Sequence, residues 1–215
     1  MPCWHASRRP KRSHDAARAL DMLKAVCVFC GSQPGRRSAY VTAAREMARL
    51  LAQYGIELVY GGGHVGLMGA LADEALAHGG RVTGVIPEHL MRPEVAHQGL
   101  TELLIVDSMH TRKRMMAARS DAFVVLPGGF GTFEEMFEML TWLQLQLQAK
   151  PVGVINVEGY FDALLEFLQH AADEGLVRSE HRDLLIVEDT PARVLSRLNA
   201  YVSEIHSAAG NLSLS

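Results

Sequence analysis

Seven short apolar, β-branched runs alternate along this chain with longer stretches of helical periodicity, and Gly or Pro stands at most of the junctions. The runs are AVCVFC (25–30), IELVY (56–60), RVTGVIP (81–87), ELLIVD (102–107), AFVVLP (122–127), PVGVIN (151–156) and LLIVE (184–188). Helical patterns fill the intervals at about 38–54, 66–78, 109–119, 132–148, 160–174 and 191–205. Strands that are apolar without alternation expect cover on both faces, and helical crossovers make neighbouring strands parallel. The pattern therefore predicts an α/β, Rossmann-like doubly wound parallel sheet of about seven strands with helices on both faces.

Length and charge bound the rest. At 215 residues and 48% hydrophobic composition, one domain is the expectation: a basic tail over 1–23, a folded unit over 24–206 and a flexible tail over 207–215. Gly, Arg, Glu or His interrupts every apolar segment well before the roughly 20 residues that span a bilayer, so no membrane partner is expected. The head has six basic residues (Arg8, Arg9, Lys11, Arg12, Arg18, Lys24) against Asp15 and Asp21, within a net charge of −3 for the whole chain. The body is thus acidic, which argues against nucleic acid as partner. No secretory apolar stretch precedes Met22, which could equally serve as a start. Cys27 and Cys30 sit inside an apolar run and read as buried strand thiols of a reducing, cytoplasmic compartment rather than a disulfide or zinc half-site.

In a doubly wound sheet the ligand lies outside the carboxyl edge of the strands, so the residues just after each strand carry the chemistry. PGGFGTFEE (127–135) follows one strand and opens a helix, where glycine amides and the helix dipole suit a phosphate. Thr132 and Glu135 also have the spacing of a capping box, a purely structural role, but capping does not call for Gly128, Gly129 and Gly131 together. YGGGHVGLMG (60–69) holds Gly61, Gly63 and Gly66 in dinucleotide spacing, with Glu88 about 20 residues on; a tight turn with close helix packing at Gly66 and Gly69 has the same spacing and is preferred. In MHTRKR (109–114), Arg112 and Lys113 oppose the dipole at a helix start, which favours a ligand role over a solvated one. His110 has no companion at metal-ligand spacing.

Together CGS (30–32), YGGGHVGLMG, MHTRK and PGGFGTFEE, in this order and spacing, resemble the LOG (Lonely guy) family of cytokinin riboside 5′-monophosphate phosphoribohydrolases. The resemblance runs from about Val26 to Leu195 and includes KPVGVINVEGYFDALL (150–165). It implies a homodimer that cleaves N6-substituted adenosine monophosphates, and AMP, to free base and ribose 5-phosphate without metal or cofactor. By motif it makes Arg112 and Glu135 catalytic. It makes Ser32, Glu94, Arg112, Lys113, Gly128, Gly129, Phe130, Gly131, Thr132, Phe133, Glu134 and Thr141 substrate contacts. Phe130 stands where the family often has Tyr, and Arg92-Pro93-Glu94 departs from the Pro-Arg-Glu order. Such proteins have also been named lysine decarboxylases; the four lysines here (Lys11, Lys24, Lys113, Lys150) form no recognisable pyridoxal-phosphate site.

Cleaving a ribosyl C–N bond passes through an oxocarbenium-like state that a carboxylate stabilises while it orients or deprotonates water. Glu135 suits that role, Arg112 the ribose and phosphate side. The alternative is a non-catalytic nucleotide or cofactor carrier, because fold does not dictate function. One helical projection bears on assembly: Phe133, Met136, Phe137, Leu140, Leu143 and Leu147 form a stripe expected to face the sheet. Met139, Trp142 and Leu145 lie opposite, as a partner surface.

Overall fold

The computed structural model describes residues 20–91 and 96–212, with side chains through 208. The basic tail up to 19, and Glu94, lie outside the described residues. Seven strands form one sheet: β1 Ala25–Phe29, β2 Glu57–Tyr60, β3 Val82–Pro87, β4 Glu102–Val106, β5 Ala122–Val125, β6 Val152–Ile155 and β7 Leu185–Glu188. The order is β4-β3-β2-β1-β5-β6-β7 and every pairing is parallel. Among the described residues seven α-helices accompany them: α1 Ser38–Tyr54, α2 Gly66–Ala77, α3 Met109–Ala118, α4 Phe130–Gln144, α5 Asp162–Asp173, α6 Ser179–Arg182 and α7 Pro191–Leu212. The last runs into the stretch expected to be a tail. Among the described residues no helix is long and apolar enough to cross a membrane.

Strand residues alternate between two cores because successive side chains leave a strand on opposite faces. Val26, Val28, Leu58, Val82 and Val124 join α1, α2 and α7 in one cluster. Ala25, Cys27, Phe29, Val59, Val85, Phe123 and Val125 join α3, α4 and Phe161 in the other. With both faces covered, most strand positions can be apolar, and this is why the runs show no polar alternation. Cys27 and Cys30 are buried free thiols.

Helix α4 departs from expectation in two ways. It begins at Phe130, with Gly129 as its cap in extended backbone and no side-chain cap bond, so Thr132 and Glu135 do not form a capping box. Its inward face is Thr132, Glu135, Met136, Met139 and Leu143; of the projected stripe Met136 and Leu143 are buried and Phe133 and Leu140 pack against the second core, whereas Phe137 and Leu147 do not turn inward. Met139 is buried, Trp142 packs partly against the second core, and Phe137 and Leu147 face outward. Two polar residues occupy inward positions in the first turns, and a projection centred on apolar residues misplaces the axis of the buried face.

The glycines after β2 are packing devices. Gly66 adopts φ +62, and a Cβ there would lie 2.3 Å from the Ser32 carbonyl carbon and oxygen. A Cβ on Gly69 would lie 2.0 Å from the His64 carbonyl oxygen. These two glycines let α2 press against the loop after β1, as the tight-turn reading expects. Gly66→Ala should therefore lose more than the roughly 1–3 kcal/mol of left-handed strain, lowering the melting temperature by at least about 2–4 °C per kcal/mol. Gly55→Ala, at φ +71 with nothing within 4 Å, should lose only the strain. Equal losses in thermal melts of the two variants would show that the Ser32 contact imposes no constraint.

Candidate active site

Strand order reverses between β1 and β5, so the loops leaving these strands diverge and open a crevice. The Gly31 amide donates to the Pro127 carbonyl (3.0 Å), tying the two loops together, and the Leu67 amide donates to the Gly31 carbonyl (3.1 Å), bringing in the start of α2. A pocket of about 300 Å³ lies here, with Ser32, Tyr40, Leu67, Gly128, Gly129 and Tyr160 among its walls. Helices α1, α2 and α4 all begin at this rim, and none has a side-chain cap bond. The amides of Tyr40, Leu67, Gly69 and Phe133 are engaged by backbone carbonyls, and the other first-turn amides are placed to meet an anion. Gly128 passes so close to Thr132 that a Cβ would lie 2.1 Å from its Oγ1, which seats the loop on the first turn of α4. The Tyr160 hydroxyl donates to the Gly128 carbonyl in a short hydrogen bond.

A second constellation joins α3 to α4. The Arg112 Nη1 lies 3.1 Å from the Glu135 Oε1, with the two side chains only 12% and 10% exposed. The Arg112 Nε donates to the Val85 carbonyl (3.0 Å), which anchors the guanidinium at the end of β3. Burial pushes the Glu135 carboxyl above its ordinary value, opposed by Arg112 and Lys113 and reinforced by Glu134 and Glu138. Alongside, the buried Lys113 bonds Glu134 and lies 3.0 Å from the Glu138 Oε2. Burial works against the lysine charge, yet the bonds to Glu134 and Glu138 hold its pKa above the ordinary value. Burial and Glu135 push the Cys30 thiol up, making it a neutral wall rather than a nucleophile.

The expected site residues therefore fall into groups. Ser32, Gly128 and Gly129 meet in the pocket, with Thr132 beneath them. Arg112, Glu135, Lys113 and Glu134 meet across the α3–α4 seam. Phe130 and Gly131 are exposed at the start of α4, and Phe133 stacks edge-on to Phe161. Thr141 is exposed, bonds back to the Phe137 carbonyl, and sits about 9 Å along the helix from Glu135. Sequence reasoning missed Tyr40, Leu67, Tyr160 and Glu138. Tyr160 had one usable signal, its place at the carboxyl edge just after β6; Glu138 had another, its spacing of three from Glu135 on one helix face.

Comparison with known proteins agrees with this architecture. The family model described as "Possible lysine decarboxylase" matches residues 68–198. A probable cytokinin riboside 5′-monophosphate phosphoribohydrolase of Oryza sativa subsp. japonica is 46% identical over 181 residues, 84% of this chain and 85% of that one. A cytokinin riboside 5′-monophosphate phosphoribohydrolase of Arabidopsis thaliana is 45% identical over 181 residues, 84% of this chain and 84% of its own length. Among solved structures, the Moco carrier protein from Chlamydomonas reinhardtii superposes with TM-score 0.62 at 19% identity, covering 84% of this chain and 98% of that one. The molybdenum cofactor binding protein from Rippkaea orientalis superposes with TM-score 0.58 at 18% identity, covering 86% and 95%. At such identities the structural likeness shows the fold alone. By sequence the chain belongs to the LOG family of cytokinin riboside 5′-monophosphate phosphoribohydrolases.

Proposed function

We propose that this chain hydrolyses the N-glycosidic bond of N6-substituted adenosine 5′-monophosphates and of AMP, releasing free base and ribose 5-phosphate. As a member of its family the chain is an N-glycosidic bond hydrolase. The observation that carries the residue assignment is the buried Arg112–Glu135 pair beside a glycine loop at the switch point. In this reading Ser32, Gly128, Gly129, Gly131 and Thr132 take the 5′-phosphate. Glu135 faces the developing positive charge on the ribose and accepts a proton from the attacking water. The electron pair of the C–N bond leaves on the purine nitrogen, which takes up a proton. Arg112 keeps Glu135 ionised and oriented. Among the described residues the lysines are engaged elsewhere: Lys113 in its carboxylate pairs, Lys150 with the Ala117 carbonyl and Lys24 with the Asp21 carbonyl.

The fold is shared with cofactor carriers, so turnover is the deciding measurement. Pure protein incubated with AMP and with N6-isopentenyl-AMP should release adenine and isopentenyladenine together with ribose 5-phosphate, read by chromatography. Tight binding of both nucleotides without release of base would make it a carrier.

The same reading places the protein in the cytoplasm as a homodimer, supported by the buried free thiols and by an outward apolar patch on and just after α4. Phe137, Leu145 and Leu147 are 37%, 57% and 69% exposed, an apolar grouping that a two-fold contact would cover. Light scattering should find a dimer for the wild type and a soluble monomer for Leu145→Glu. A monomeric wild type would overturn this assembly.

A further inference from the structure

We propose that Lys113 and Glu138 are positioning residues for the hydrolytic reaction, their ion pair across the α3–α4 seam setting the charge balance that Glu135 meets beside Arg112. Lys113 follows Arg112 on α3, and Glu138 follows Glu135 by three residues on α4, so two ion pairs cross the same seam side by side. Lys113 is buried, its side chain 8% exposed, and is held between Glu134 and Glu138. The Glu138 Oε2 is itself buried, and the Lys113 amine 3.0 Å away is its partner. Such an amine is placed to neutralise carboxylates rather than to wait for a ligand.

The groups that bear on Glu135 are Arg112 and Lys113 from α3, Glu134 and Glu138 from its own helix, and the neutral thiols of Cys27 on β1 and Cys30 just after it. Around Glu135, Lys113 offsets two negative charges. Removing Lys113 leaves both to oppose ionisation of Glu135, whereas removing the charge on Glu138 relieves one of them.

The test rests on the hydrolase reading and uses Lys113→Met, Glu138→Gln, the double variant and Lys113→Arg, with kcat/KM for AMP measured against pH. The acid limb should move up by at least about half a unit in Lys113→Met and down in Glu138→Gln. In the double variant it should lie between the two, and in Lys113→Arg it should stay near wild type. Limbs that do not move, or that move in the same direction in both single variants, would overturn the proposal. So would a KM increase in Lys113→Met with an unshifted limb, the mark of a direct phosphate contact. Should Lys113→Met not fold, the downward shift in Glu138→Gln decides alone. Should the wild type release no base, the hydrolase reading fails separately. The same shifts are then read without turnover, from the pH dependence of melting temperature relative to a matched Glu135→Gln background.

Discussion

Glu135→Gln is expected to release base from AMP about 10²–10⁴-fold more slowly than the wild type, because an amide cannot accept the proton of the attacking water. The fold should survive. Gln has the same shape and can still accept a hydrogen bond from Arg112, and burial already opposes the charge that it removes. The sign follows from the direction of the shift. The carboxyl of Glu135 lies above its ordinary value of 4.5 in the folded state, so its contribution to stability is full below that value and is lost as pH rises through the folded value. Glu135→Gln lacks this titration. Its melting temperature relative to wild type should therefore climb from about pH 4.5 upward and level off above the raised folded value. For the same reason the acid limb of wild-type kcat/KM should lie above 4.5. A variant that keeps near wild-type turnover would remove Glu135 from the chemistry.

Arg112→Ala is expected to lose activity by about 10²-fold or more and to lose stability as well, the opposite balance from Glu135→Gln. Taking away the guanidinium leaves a nine-tenths buried carboxylate without its counter-charge, a situation that costs about 3–5 kcal/mol when the charge is kept. Glu135 can evade part of that penalty by binding a proton, since Arg112 is the largest influence holding its pKa down. The activity that remains should thus have its acid limb displaced to higher pH, and stability should fall more at pH 8 than at pH 5. Parallel pH–rate and pH–melting curves check both. An unshifted limb would mean that Arg112 touches substrate without governing Glu135.

How much of this could be read beforehand differs from element to element. The strands were legible because a sheet covered on both faces needs little polar alternation, and AFVVLP or LLIVE satisfies that demand in a handful of residues. The start of α4 was not, because Thr132 and Glu135 match a capping box while the true cap is the backbone of Gly129, which has no side chain to signal it. The inward face of the same helix was legible only in part, at Phe133, Met136, Leu140 and Leu143, because its first turns bury Thr132 and Glu135, polar residues that a hydrophobic projection assigns to solvent. Arg112 and Glu135 stood out by residue type, yet their contact joins two helices through a crossover, and no local spacing encodes that. Tyr160 reaches Gly128 across 32 positions of chain, beyond any motif.

The loop after β2 has a consequence for how this protein can vary. A Cβ at Gly61 would stand 2.1 Å from the Arg112 Nη2, so the missing side chain is the space in which the guanidinium rests. Gly61 has no positive φ to defend, unlike Gly62 beside it at +74. Its constraint comes from the charged neighbour. A substitution there would displace the arginine from Glu135, and a position without functional groups of its own would behave in an assay as though it had lost one. In this fold the boundary between scaffold and reagent runs through an empty volume. A survey of variants that scores only side chains in the crevice will overlook the residue that makes room for them.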